Sequence, residues 1–423
     1  MRFLINSNRK FFNLLVLSFL ATILIVVPPL IGARYNLFYP SLEVSVQAQT
    51  PNSSEVEPMP AATERQQEQK NQPAKNASEG EDKKEEKLEP FKMTMGASGG
   101  LVLFLYGVTR MAEGLEAIAG DRMKEIIGHF TTNRYAGLAT GAAATTLLDS
   151  SSVTIIITIA MVSAGLLTFV QSLGVVLGSN IGTTVGAQII AFKINEYAPI
   201  VMFIGFLLTF IGKTDLLKNI GLVLLGFGLL FFGLDQIESA MEPFETYQPF
   251  LKLMENLGDK PLLGAGIGAL FTILVQSSSA TVAIIVTLAS QGLISLPTGI
   301  ALMLGAEVGT CADTLVATIG RERPAVRTGI FHLLFNLTTA TLGILFASQL
   351  AALAQWLSSL FGAGEDVARQ IANAQLIFNV LGVMLVIGFL PLITKGLEKV
   401  IPKSKDETDS AFDRNSRADL ESR

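Results

Sequence analysis

The chain has 423 residues, half of them hydrophobic and only 16% charged, with a formal net charge of -5 and a mean hydropathy of +0.48. A soluble globular chain carries about 25% charged residues, so the composition indicates a membrane protein. A single cysteine, Cys311, excludes a disulfide scaffold, and the acidic balance without a basic patch argues against nucleic-acid binding.

Arg2, Arg9 and Lys10 precede an apolar run from Phe11 to Gly32. This is the layout of a signal peptide or signal anchor over 1–48, with Val46-Gln47-Ala48 as a passable cleavage site. Residues 49–97 hold 10 acidic and 7 basic side chains among Gln, Pro, Asn and Ser. They are expected to be disordered and outside the cell. The tail, 397–423, is equally polar and is expected to be cytoplasmic.

Between these flanks the apolar segments run roughly 98–118, 134–164, 168–192, 198–212, 219–238, 262–290, 296–319, 328–350 and 371–396. A spanning helix needs ~20 residues. Two segments, 134–164 and 262–290, are too long for one straight crossing and carry a polar cluster at their middle: Asp149-Ser150-Ser151-Ser152 and Gln276-Ser277-Ser278-Ser279. A break there makes two arms of each, a re-entrant hairpin with a polar tip near mid-membrane. Irregular backbone at that depth is tolerated only inside protein or along a cavity. With both hairpins re-entrant, the inside loops hold Arg122, Lys124 and Arg134; Lys213 and Lys218; Arg321, Arg323 and Arg327; and Lys395, Lys399 and Lys403. That agrees with the positive-inside rule.

The sequence also repeats itself. At a shift of 127 residues, Gly137, Gly141 and Thr145 fall on Gly264, Gly268 and Thr272; the two Ser triplets coincide; and Thr154, Gly165, Gly178, Gly182 and Thr183 fall on Thr281, Gly292, Gly305, Gly309 and Thr310. Upstream, Gly107 and Gly114 match Gly226 and Gly233 at a shift of 119. The expected fold is an all-α membrane protein with repeat 1 over 98–218 and repeat 2, plus a final helix, over 219–396. Each repeat is helix, broken hairpin, helix, helix. Three crossings per repeat would invert the second copy, the layout of secondary transporters.

Ser150, Ser151, Ser152, Ser277, Ser278 and Ser279 stand where the second arms begin. Serine caps a helix well, and the first turn offers free N–H groups and a positive dipole end. Two facing tips suit a tetrahedral oxyanion; one triplet alone would do no more than cap the break. For a small hard cation, the candidates are Asp149, Gln276, Thr154, Thr281, Asn180, Thr183, Glu307 and Thr310. Asp149 and Glu307 are ionisable residues within apolar segments, where a functional role is the default reading. They offer oxygen ligands to a cation or a seat for a proton. Asp313 is either a further ligand or an inner-surface residue. Arg110 and Glu113 are expected to pair within their helix. His332, Asn336, Asn373, Gln375 and Asn379 are expected to bond helix to helix. A serine hydrolase is disfavoured, because His129 (expected in a loop) and His332 are remote in sequence from the Ser clusters, and no Gly-x-Ser-x-Gly elbow frames them.

Gln276-Ser-Ser-Ser-Ala-Thr281, with the matching Asp149-Ser-Ser-Ser-Val-Thr154, resembles the type II sodium/phosphate cotransporter family over most of 98–396. The resemblance implies sodium-driven uptake of inorganic phosphate through an alternating-access, elevator-like core in the inner membrane of a bacterium, with no cofactor beyond sodium as coupling ion. The six serines would then bind phosphate. Two departures stand out: the family usually has Gln in both copies where this chain has Asp149 in the first, and Glu307 stands opposite Asn180. These extra carboxylates leave open a proton-coupled carrier, another oxyanion, or a phosphate sensor that does not transport. Many bacterial relatives also carry a C-terminal domain resembling PhoU, and the short charged tail is not expected to form one.

Overall fold

The computed structural model describes residues 90–191 and 197–402. The expectations for 1–48, for most of 49–97, and for the tail beyond residue 402 lie outside the described residues. Among the described residues, all of the regular structure is helical. Among the described residues, six helices are long and apolar enough to cross a membrane, or seven if a pair bent by 104° counts as one. The protein is a multi-pass, all-helical membrane protein.

Helix α1 (Pro90–Phe130) starts before residue 98 and runs on past 118. At 1.5 Å per residue its 41 residues reach about 60 Å, twice the hydrocarbon core. Arg122, Lys124 and His129 therefore sit on its C-terminal extension, not in a loop. The first hairpin is α2 (Arg134–Leu148) and α3 (Ser151–Ser163), followed by α4 (Phe169–Ala191) and α5 (Ala198–Ile211). Asn133 caps α2 by accepting from the N–H groups of Tyr135 and Ala136. The segment expected to cross at 198–212 is a helix of 14 residues, about 21 Å, shorter than the core. Its phenylalanines Phe203, Phe206 and Phe210 are exposed.

The second half opens with α6 (Asp215–Met241), capped by Thr214. After a 3-10 turn (Glu242–Glu245) come α7 (Gln248–Asp259) and the second hairpin, α8 (Pro261–Val275) and α9 (Ser278–Ser290). Then α10 (Leu296–Gly309) breaks into the short α11 (Cys311–Val316). The remaining helices are α12 (Arg323–Leu345), α13 (Ala347–Leu360), α14 (Val367–Ile387) and α15 (Leu390–Val400). The expected span 328–350 thus ends at Leu345, and 371–396 is two helices. Arg327 was expected in a loop. It is fully buried on α12, its Nε donating to the Ile401 carbonyl at 2.8 Å, with Phe169 beneath the guanidinium.

Glycines set the packing of α1 on α6. A methyl on Gly107 would lie 2.7 Å from the Gly226 carbonyl oxygen, and one on Gly226 would lie 2.6 Å from that of Gly107. Either is far inside van der Waals contact, so only glycine lets the backbones meet. Gly100 meets Gly233, and Gly114 meets Asn219. Positions rise along α1 as they fall along α6, so the helices are antiparallel. Adding 119 to 100, 107 and 114 gives 219, 226 and 233, so the contact maps onto itself when the two helices are exchanged.

The hairpins also match. Gly141 packs on Val175 and Gly178 on Leu138; 127 residues on, Gly268 packs on Leu302 and Gly305 on Ala265. Hairpin 1 shares an apolar core with α4, α12, α14 and α15. Hairpin 2 shares another with α10, α13 and α14, joined by Ala187 and Ala191 of α4.

Candidate functional site

Both hairpins break at the serines. Asp149 (φ 48°) and Gln276 (φ 59°) are left-handed, the only non-glycine residues with positive φ among those described. Each is followed by an extended serine, Ser150 (φ -154°, ψ 111°) and Ser277 (φ -152°, ψ 114°). Ser150 Oγ accepts from the Val153 N–H at 3.2 Å, and Ser277 Oγ accepts from the Ala280 N–H at 3.2 Å. These are N-caps at equivalent places.

The chain folds back at each break. Thr145 and Thr154 are nine residues apart, about 13 Å along a continuous helix. Their hydroxyls nevertheless bond at 3.0 Å, and those of Thr272 and Thr281 at 2.8 Å. Thr154 and Thr281 also donate to the Ser150 and Ser277 carbonyls. These two threonines, expected as cation ligands, have their hydroxyls engaged in closing the hairpins.

The three serines of each tip differ. The first caps. The second, Ser151 or Ser278, is buried and its hydroxyl has no hydrogen-bond partner among the described residues. The third differs between repeats: Ser152 is buried, whereas Ser279 is half-buried. Within each first turn the next two N–H groups beyond the cap lack intrahelical partners. The second arms reach across the halves, α3 packing on α11 and α12, and α9 on α4 and α14. Among the described residues, no hydrogen bond joins one serine triplet to the other.

The chemistry at the paired candidate positions is unequal. Asp149 lies against Gly186, with Oδ1 2.8 Å from where a methyl there would be. Advanced by 127, that pair becomes Gln276 and Asp313, so the carboxylate moves from hairpin to helix. Asn180 is buried and donates to the Val176 carbonyl at 2.8 Å, and Thr183 donates to the Ser179 carbonyl at 3.0 Å. The equivalents behave differently. Buried Glu307 accepts from Gln375 Nε2 at 2.7 Å, while buried Thr310 sits at the break between α10 and α11.

His332, Asn336 and Asn373 do bond between helices. His332 Nδ1 pairs with the Thr314 hydroxyl at 2.9 Å, Asn336 donates to Cys311 Sγ at 3.3 Å, and Asn373 joins Gln188 to Ser358. Gln375 does so too, but onto a candidate site residue, whereas Asn379 donates to the Gln375 carbonyl of its own helix. Their one sequence signal was an amide in an apolar segment. Arg110 pairs with Glu113 at 2.8 Å as expected. Among the described residues, no three His, Cys, Asp or Glu side chains gather to hold a metal.

A sequence model of the Na+/Pi-cotransporter family matches residues 103–239 and 246–390. The chain is 29% identical over 292 residues to "Uncharacterized protein YqeW" of Bacillus subtilis (strain 168), covering 69% of this chain and 92% of that one. It is 27% identical over 251 residues to "Putative inorganic phosphate export protein YjbB" of Escherichia coli (strain K12), covering 59% of this chain and 46% of that one. A shorter stretch of 131 residues is 34% identical to "Sodium-dependent phosphate transport protein 2A" of Rattus norvegicus, covering 28% of this chain and 20% of that one. The match thus spans under half the length of the Escherichia coli and rat proteins. No solved structure matches the chain.

Proposed function

The chain belongs to the Na+/Pi-cotransporter family, and we propose that it is a carrier that moves inorganic phosphate together with sodium by alternating access. It is a transporter, not an enzyme. The observation that carries the finer reading is the doubled tip: two hairpins of matching dihedrals, caps and threonine bonds, each with a buried serine beside its cap. Phosphate would be held by Ser150, Ser151, Ser152, Ser277, Ser278 and Ser279, through hydroxyls and first-turn N–H groups. Asp149, Gln276, Asn180, Thr183, Glu307 and Thr310 would build the cation side, and Thr154 and Thr281 would hold the tips in shape.

The inverted arrangement belongs to the same proposal. Two antiparallel helices related by a two-fold exchange have the axis perpendicular to both. With α1 and α6 crossing the membrane, the axis lies in the membrane plane, as in inverted repeats. The reciprocal Gly107–Gly226 contact supports this without requiring that α5 cross. The re-entrant hairpins and the elevator-like movement remain part of the proposal.

The test is labelled phosphate uptake into proteoliposomes with and without an inward sodium gradient. Accumulation driven by sodium supports the reading. Accumulation driven by a proton gradient alone would replace it with the second reading, proton coupling, which Asp149 and Glu307 favour. The Escherichia coli relative's name favours outward movement, so the assay is run with phosphate loaded on either side.

A further inference from the structure

Glu307 is the meeting point of a polar cluster buried between α10, α12 and α14. Gln375 and Asn379 lie one turn apart on α14, and Asn336 on α12 joins through Cys311, whose thiol donates to the Glu307 carbonyl at 3.8 Å. The amide nitrogens are all engaged: Asn336 with Cys311 Sγ, Gln375 with the Glu307 carboxylate, and Asn379 with the Gln375 carbonyl at 3.1 Å. The amide oxygens are not. Asn336 Oδ1, Gln375 Oε1 and Asn379 Oδ1 are buried without a partner, on side chains no more than 1% exposed. No Lys or Arg pairs with Glu307 among the described residues. On α12, His332 is engaged with Thr314 and Arg327 with the Ile401 carbonyl.

Three orphaned acceptors and one carboxylate form an all-oxygen set with nothing positive in it. A buried acceptor without a donor is costly, and a buried charge requires a counter-charge. Hard cations take such oxygen ligands. One carboxylate balances one monovalent charge, whereas a divalent ion would leave a positive charge buried. A proton would satisfy one oxygen and leave the remaining amide oxygens as they are. At the equivalent position of the first repeat, Asn180 bonds its own helix.

We propose that Glu307, Gln375, Asn379 and Asn336 form a sodium site in the second repeat, separate from the serine tips. This deepens the sodium-coupled reading and rests on it. The residues of α14 are its new members, and α14 also packs on α4 and α9, so an ion here bridges the last helices to both halves.

The experiment measures thermal unfolding of the purified full-length protein at fixed pH, with sodium chloride exchanged for choline chloride at constant ionic strength. Labelled phosphate binding is read in parallel. Wild type is expected to gain stability saturably with sodium. Glu307→Gln should raise the half-saturating sodium concentration by at least about tenfold, the scale of losing a ligand to a charge. Gln375→Met, close in shape, should do the same and serves if Glu307→Gln folds poorly. A wild type indifferent to sodium overturns the site, as does a sodium effect unchanged in both variants. An acid-induced stabilisation lost in Glu307→Gln, with no response to sodium, also overturns it in favour of a proton. If phosphate fails to bind while sodium stabilises wild type and not the variants, this site stands and the phosphate reading fails.

Discussion

Removing single hydroxyls from the tips separates holding an anion from capping a helix. Ser151 and Ser278 are buried with unpartnered hydroxyls, whereas the hydroxyls of Ser150 and Ser277 already accept from N–H groups three residues on. A hydrogen bond to a charged group contributes roughly 1.5–3 kcal/mol, and about 1.4 kcal/mol is a factor of ten. Ser151→Ala and Ser278→Ala are therefore expected to raise the half-saturating phosphate concentration roughly tenfold to a hundredfold, with little change in unfolding temperature. Ser150→Ala and Ser277→Ala lose a cap and are expected to cost about 1 kcal/mol of stability. The assay is the concentration dependence of labelled phosphate uptake into proteoliposomes, beside thermal unfolding of the same preparations. Wild-type half-saturation in both Ser151→Ala and Ser278→Ala would refute the placement of phosphate at these hydroxyls.

Other perturbations test the surrounding structure. Gly178→Ala and Gly305→Ala each drive a methyl into a backbone carbonyl of the neighbouring hairpin arm, and overpacking of this kind costs roughly 1–3 kcal/mol. The two losses should be alike in thermal unfolding, and a large loss at one with none at the other would contradict the matched geometry. Gln276→Gly removes the penalty of a side chain in the left-handed region, so stability should rise by up to about 1 kcal/mol while phosphate uptake falls; rising uptake would deny Gln276 a place in the site. Asp149→Asn keeps the shape beside Gly186 and removes a charge. It should shift the cation dependence of uptake more than its phosphate dependence, and the reverse result would place Asp149 on the substrate side.

Much of this arrangement is legible because the residues that make it are conspicuous. A Ser triplet within an apolar run of about thirty residues can only be a break, and the breaks stand at Asp149 and Gln276. The matched glycines signal a duplication, but not that Gly107 meets Gly226, since a repeat in sequence carries no information on which surfaces touch. Helix α1 overran its apolar part because charges mark the edge of the membrane and not of the helix. Helices α7 and α13 escaped a search for spans, being too short and too polar on one face. Arg327 misled because counting charges in loops ignores burial, and a carbonyl at Ile401 with a ring at Phe169 is enough to receive it. Glu307 was legible as an anomaly. Its partner Gln375 lies 68 residues away, and only the folded chain brings them together.

The two halves share a backbone and differ in charge, and the difference is not scattered. The shared part consists of Gly, Ser and Thr, which set helix approach, caps and hairpin closure at equivalent positions. Among the candidate ion ligands the unequal part lies at three pairs: 149 with 276, 180 with 307, and 186 with 313. Were these pairs chemically alike, a movement exchanging the roles of the halves would join states of equal energy, and no ion would favour either. Placing Asp149 on one hairpin, and Glu307 and Asp313 on the helix of the other, removes that equality. A cation bound at one half then stabilises one state over the other by its differential affinity, the only means by which a ligand shifts such an equilibrium. The proposed sodium site around Glu307 would give that differential a location in the second half, where the equivalent Asn180 of the first half bonds its own helix.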